Sequence, residues 1–204
     1  MSSVADGLPF NKRLPAVIAI SLGIGMATLD TAIVNTALPT LAEGIGTDSA
    51  SVIWVVNAYQ LAIIATVLPF ASLSDVLGHR RVYLGGLLLF ILSSLFCGLA
   101  GSLVTLTAAR VVQGLGAAAI MRVSTALLRH IYPSKMLGRG LGYNSLVVGL
   151  AFTLGPTAAS AILSVATWHW LYLINVPLGL LALVLGLRLL PTLPMTGHAF
   201  DRLA

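Results

Sequence analysis

The sequence predicts an all-α membrane protein, a bundle of six transmembrane helices. Three observations carry this. Charged residues make up 8% of the 204 positions and hydrophobic ones 58%, with mean hydropathy +1.00. A soluble chain has roughly a quarter of its residues charged, so lipid must be the main solvent of this one. Six apolar runs are each long enough for the ~20-residue helix that crosses a bilayer core. Lysine and arginine gather between alternate runs and are missing between the others. Backbone groups in lipid must be paired within a helix or a closed barrel. The runs are long and lack the two-residue alternation of barrel strands, which leaves helices.

Residues 1–13 form a short N-terminal segment that ends in Lys12 and Arg13. Span one covers roughly 14–38. It is too long for a cleaved signal peptide, contains Asp30 and lacks a small-residue cleavage pattern, so it is expected to be retained. Spans two to six cover roughly 52–72, 82–101, 103–128, 141–163 and 170–190, and a tail occupies 191–204.

Of the eleven Lys and Arg, all but Arg110 and Arg122 fall on one side of this arrangement. Lys12 and Arg13 precede span one, and Arg80 and Arg81 lie between spans two and three. Arg129, Lys135 and Arg139 surround the connection from four to five. Arg188 and Arg202 follow span six. The opposite connections carry Glu43 and Asp48 and neither Lys nor Arg. By the positive-inside rule both termini are expected on the cytoplasmic side of a multi-pass protein of the cell (inner) membrane.

The pI near 9.9 therefore reflects topology, and no nucleic-acid partner is expected. Cys97 is alone in an apolar run, and His79, His130, His169 and His198 are scattered. No disulfide, metal site or cofactor is expected. No nucleophile–base–orienter set is visible, so the chain is not expected to be an enzyme. The Gly-x-x-x-x-Gly-Lys phosphate loop is missing, so any energy input would be expected from an ion gradient.

The connection after span two reads ASLSDVLGHRRVYLGG (71–86). Span one holds LDTAIVNTALPTL (29–41), span four LTAARVVQGLGAA (106–118), and the start of span six WHWLYLINVPLGL (168–180). Together these resemble the major facilitator superfamily, and within it the fourteen-helix drug:proton antiporters of multidrug efflux. The superfamily's signature loop is Gly-x-Leu-Ala-Asp-Arg-x-Gly-Arg-Lys. Leu73, Asp75, Gly78, Arg80 and Arg81 match it, and Ala71, Ser74, Val76 and His79 depart from it. The resemblance covers nearly the whole chain, as the N-terminal half of such a transporter. It implies two inverted three-helix repeats, a substrate of drug-like or cationic small molecules, and exchange against protons.

On chemistry alone, Asp75 lies just past span two and can accept hydrogen bonds or face a helix N-terminus. Gly78 permits a tight turn. Arg80 and Arg81 can pair with acidic groups or anionic lipid. The resemblance implies a latch that stabilises one access state; the alternative is an anchor that only fixes topology.

Ionisable groups inside a membrane are costly and face the bundle interior. Asp30 lies roughly 12 Å and Arg110 roughly 10 Å from the same end of their helices, at 1.5 Å per residue. The two are expected to approach each other. A paired carboxylate stays ionised, whereas one desolvated without its partner takes up a proton. In the resembling family the matching aspartate and arginine are linked to proton coupling. A static pair that fixes helix packing is the alternative.

Gly114 and its small neighbours would let backbones approach closely, and Gln113 is one turn from Arg110. Arg122 is about 120° around the helix from Arg110. It can snorkel to the cytoplasmic end or contact substrate or lipid. In span five, GLAFTLGPTAAS (149–160) keeps Gly155 and Pro156 of the family's antiporter motif, while Ala151, Ala159 and Ser160 replace glycines. Proline there removes a backbone bond and kinks the helix. Asn35, Asn57, Tyr59, Gln60, Tyr143 and Asn144 are the remaining polar groups, near a cavity or bonded between helices.

The resembling proteins continue for more helices, whereas this sequence reaches a Phe-Asp pair (200–201) and stops. The expectation is a half-transporter completed by a second half or by a homodimer. Its competitor is a truncated, non-transporting membrane fragment with a structural or regulatory association.

Overall fold

The computed structural model describes residues 7–191. The expectations placed on Arg202, on the Phe-Asp pair and on the tail beyond Pro191 lie outside the described residues. Six helical spans run Phe10–Ile45, Ser49–Leu77, His79–Gly98, Leu103–Ile131, Ser134–Leu163 and Trp170–Leu189. Each is long and apolar enough to cross a membrane, so the chain is a multi-pass membrane protein.

Spans 1 and 2 outrun their apolar windows at both ends because local chemistry extends them. Span 1 ends at Gly46, whose φ of +72° lets the last carbonyls find donors: Gly46 N–H reaches Glu43 O and Thr47 N–H reaches Ala42 O. Asp48 then caps the next helix, its Oδ1 accepting from the Ala50 and Ser51 N–H groups at 2.9 and 2.8 Å. Ser102 and Thr105 form a reciprocal capping box at the start of span 4.

Pro39, Pro69 and Pro156 lie within spans 1, 2 and 5. Span 6 breaks at Ile174, between Trp170–Leu173 and Asn175–Leu189. Pro177 has no N–H to offer the carbonyl four residues back, so the helix cannot run smoothly through this point.

Span 1 packs on spans 5 and 6, and span 4 packs on spans 2 and 3. Spans 1 and 4 touch each other, as do spans 3 and 6. Exchanging 1 with 4, 2 with 5 and 3 with 6 leaves this pattern unchanged. That is the packing of two inverted three-helix repeats.

Two apolar clusters fill the bundle. One, at the Lys/Arg-rich end, gathers Ile20, Tyr83, Leu87, Phe90, Ile120 and Leu127. The other, at the opposite end, gathers Ile33, Leu41, Val55, Leu106, Trp168 and Tyr172. In span 1 the clusters meet between Ala27 and Ile33, and in span 4 between Leu106 and Ala117. Asp30, Arg110 and Gln113 occupy those gaps.

Candidate functional site

The gap between the clusters holds a buried polar layer. Asp30 and Arg110 are both 0% exposed, and Arg110 Nη1 donates to Asp30 Oδ2 at 2.6 Å. The same Nη1 reaches Gln113 Oε1 at 2.7 Å, and Arg110 Nε donates to the Val55 carbonyl at 3.2 Å. The guanidinium lies over the Tyr59 ring, 3.9 Å from its centroid, and 5.7 Å from that of Tyr172. Both rings offer negative π-faces to the cation.

Asp30 accepts two further bonds. Gln113 Nε2 donates to its Oδ1 at 3.2 Å, and Asn175 Nδ2 donates to the same oxygen at 2.6 Å. All three partners are donors, so both carboxylate oxygens are satisfied as acceptors. Gln113 Nε2 also donates to Ser94 Oγ at 2.8 Å, and Cys97 Sγ points to Gln113 Oε1 at 3.5 Å. Five of the six spans thus contribute to one network: 1, 2, 3, 4 and 6.

Arg110 and Gln113 share a face because they are one turn apart, and small residues bring that face close to its neighbours. A Cβ on Gly114 would lie 2.6 Å from the Tyr59 carbonyl oxygen, and one on Gly116 would lie 2.7 Å from the Phe90 nitrogen. The glycines therefore let span 4 sit tightly against spans 2 and 3. Gly155 does the same for span 5, where a Cβ would collide with Ala32. Pro156 next to it is exposed, and its carbonyl accepts from Ser160 Oγ at 2.9 Å.

The other sequence candidates fall apart from this layer. Asn35 is exposed and donates back to the Thr31 carbonyl at 2.8 Å. Arg122 is also exposed, on a different side of span 4 from the buried Arg110. Tyr59, by contrast, belongs to the layer: it is buried under the Arg110 guanidinium, and its hydroxyl donates to the Ala27 carbonyl at 3.4 Å.

At the Lys/Arg-rich end, Asp75 does not lie past span 2 but in its last turn. The Ser74 hydroxyl bonds the Ala71 carbonyl, and the Gly78 N–H closes the turn on Ser74 O, so the helix continues to the glycine. Gly78 takes φ +91°, a conformation that side chains resist. Among the described pairs Asp75 faces His79, with Nε2 3.9 Å from Oδ1, a contact that is ionic only when the imidazole is protonated. Arg80 reaches away to span 6, donating to the Leu187 carbonyl at 2.6 Å. Leu187 lies in the last turn of its helix, where a cation complements the dipole. Arg81 is exposed.

Between spans 1 and 5 runs an open apolar groove of about 1210 Å³. Leu14, Ile18, Leu22, Leu146, Leu150 and Leu154 line it, with Arg13, Arg139 and Tyr143 among its walls. Leu29 faces the groove, whereas Asp30 beside it is sealed from it.

Sequence reasoning did not single out Asn175, Tyr172, Ser94 or Cys97. Asn175 carried a signal, since an Asn-Val-Pro step puts an amide at a helix break. Ser94 and Cys97 carried none beyond being weakly polar in an apolar run.

Comparison with known proteins adds the family context. The family model of the Major Facilitator Superfamily matches residues 20–202. The chain is 57% identical over 187 residues to the uncharacterized transporter YebQ of Escherichia coli K12, covering 92% of this chain and 41% of that one. It is 34% identical to the riboflavin transporter RibZ of Clostridioides difficile, covering 86% and 38%. It is 35% identical to the putative multidrug resistance protein MdtD of Salmonella paratyphi B, covering 95% and 41%. The chain thus spans about two fifths of the length of these relatives. Among solved structures, the proton:xylose symporter XylE superposes with a TM-score of 0.78 at 15% identity, over 87% of this chain and 45% of that one. That likeness concerns the fold.

Proposed function

The chain belongs to the major facilitator superfamily, and from that premise we propose that it works in the proton-coupled efflux of drug-like or cationic small molecules. The observation that carries this is the Asp30–Arg110 pair, wholly buried at mid-bundle and joined at 2.6 Å. Burying a charged pair there costs desolvation energy, so its presence supports a functional role. When Arg110 is close, the carboxylate is held as an anion. When a rearrangement of span 1 against span 4 separates them, the buried carboxylate takes a proton. Alternating between these arrangements loads a proton on one side and releases it on the other.

In this reading both termini face the cytoplasm and the membrane is the cell (inner) membrane. The open groove on spans 1 and 5 supports a second six-span half as partner. Its volume and apolar lining, with Tyr143 exposed, support bulky drug-like substrates. Resemblance to MdtD points the same way. Asp75, Gly78, Arg80 and Arg81 act as the gating loop. The Arg80–Leu187 bond supports this, since it ties the start of span 3 to the end of span 6.

Everted membrane vesicles carrying the chain and a pH-sensitive dye test the proposal. Drug-like cations and riboflavin are added in turn. Substrate-dependent proton movement that vanishes in Asp30→Asn is the expected result. Proton-driven transport that persists in Asp30→Asn would overturn the coupling. No substrate-dependent proton movement at all would favour a non-transporting membrane role. Unchanged transport in Asp75→Asn would remove the latch.

A further inference from the structure

Asn175 makes the shortest neutral contact to Asp30, and its chemistry differs from that of the other two partners. Arg110 has no acceptor atom, and Gln113 Oε1 is already engaged by Arg110 at 2.7 Å and Cys97 at 3.5 Å. Asn175 Nδ2 donates to Asp30 Oδ1 at 2.6 Å, while its own Oδ1 is buried and accepts no bond from any described group. A protonated Asp30 needs an acceptor for its O–H. The titratable and charged groups around it are Arg110 on span 4, Tyr59 on span 2, Cys97 on span 3 and Tyr172 on span 6. Tyr59 is turned to Ala27 O, and the Tyr172 hydroxyl has no hydrogen-bond partner among the described residues. Span 5 meets this part of span 1 through Gly155 against Ala32 and brings no titratable group there.

We propose that Asn175 is the positioning residue that follows the protonation state of Asp30. It donates Nδ2 to the carboxylate and, after a half-turn of its carboxamide, accepts at Oδ1 from the carboxylic acid. The step adds one proton to Asp30 Oδ1, and the new O–H points at Asn175 Oδ1. Asn175 opens the helix that follows the break at Ile174. The carboxamide turn therefore occurs beside the break in span 6. The inference rests on the proposed proton coupling through Asp30.

The test is a pH titration of the purified chain in lipid nanodiscs by infrared difference spectroscopy, with Asp30→Asn assigning the carboxylic-acid band. Removing the amide takes a charge-assisted bond from the anion and a weaker neutral one from the acid. In Asn175→Leu the band should therefore titrate about one pH unit higher. Its frequency should rise as well, because the acid loses its hydrogen bond. Asn175→Ser, which keeps a shorter donor and acceptor, should fall between the two and serves if the leucine variant does not fold. If no band depends on Asp30, the coupling reading fails and this inference with it. If the band is present but keeps its midpoint and frequency in both variants, the role of Asn175 alone is overturned.

Discussion

Replacing Arg110 by leucine should be among the most destabilising single changes in this protein, and replacing Asp30 as well should restore most of the loss. The structure sets the magnitude. Arg110→Leu leaves a fully buried carboxylate without its counter-charge, which costs about 3–5 kcal/mol. It also strips a donor from the Val55 carbonyl and from Gln113 Oε1. Asp30→Leu costs a similar amount, because it leaves the guanidinium buried without an anion. The double variant removes both charges, and buried pairs replaced by apolar groups are often close to neutral. What remains is the lost bonding of Gln113 and Asn175, about 1 kcal/mol each. The two single costs should therefore fail to add by well over 2 kcal/mol. Denaturant unfolding in mixed detergent micelles, followed by the fluorescence of the three tryptophans, measures all four proteins. Single costs below about 1 kcal/mol, or costs that simply add, would show that the pair is not the keystone of the polar layer.

Three further outcomes follow from the packing and the caps. Gly116→Ala should cost about 1–3 kcal/mol in the same unfolding assay, because the new Cβ meets the backbone of span 3 at Phe90 and Gly86. Gly78→Ala should cost about 1–3 kcal/mol through its positive φ, whereas Gly85→Ala, which faces open space, should be neutral or mildly stabilising. Asp48 accepts from the Ser51 hydroxyl and from two N–H groups, and these bonds hold its carboxyl below the ordinary aspartate value. A lowered value in the folded state means the cap is fully formed above about pH 4. It is lost as the pH falls through that lowered value. Amide exchange at Ala50 and Ser51, corrected for intrinsic rates, should accelerate in that acid window and at every pH in Asp48→Ala.

The fold was legible because hydropathy and the placement of Lys and Arg each count spans, and both give six. Helix ends were less legible. The Asp48 cap and the turn at Gly78 carry span 2 past its apolar window at both ends, so Asp75 belongs to span 2 itself. Depth along each helix was enough to bring Asp30 and Arg110 to the same level. Depth says nothing of which neutral groups complete the layer. Asn175 and Ser94 come from spans 6 and 3, and only the packing of those spans on 1 and 4 brings them in. The pairing of Asp75 with His79 was visible as an i, i+4 spacing, but the matching arginines drew attention to themselves.

The symmetry of the packing explains why the charges sit where they do. Spans 1 and 4 are exchanged by the internal two-fold relation, and they touch where Asp30 meets Arg110. Spans 3 and 6 are also exchanged, and they deliver Ser94 and Asn175 to the same layer. A change of charge on that axis is therefore felt by both repeats at once. Span 5 stands outside this network. It contributes no side chain to the layer and is the least buried of the six. It touches span 1 closely at Gly155 and otherwise walls the groove. In the proposed coupling, a proton on Asp30 would loosen the bond between spans 1 and 4. Span 1 would then shift against span 4 and carry span 5 with it, changing the shape of the groove while Asp30 stays sealed from it. Such a coupling would depend on the Gly155–Ala32 contact. Gly155→Leu should separate the two functions, leaving the Asp30 titration in place while uncoupling it from substrate movement. Loss of both together would mean that span 5 is part of the proton site after all.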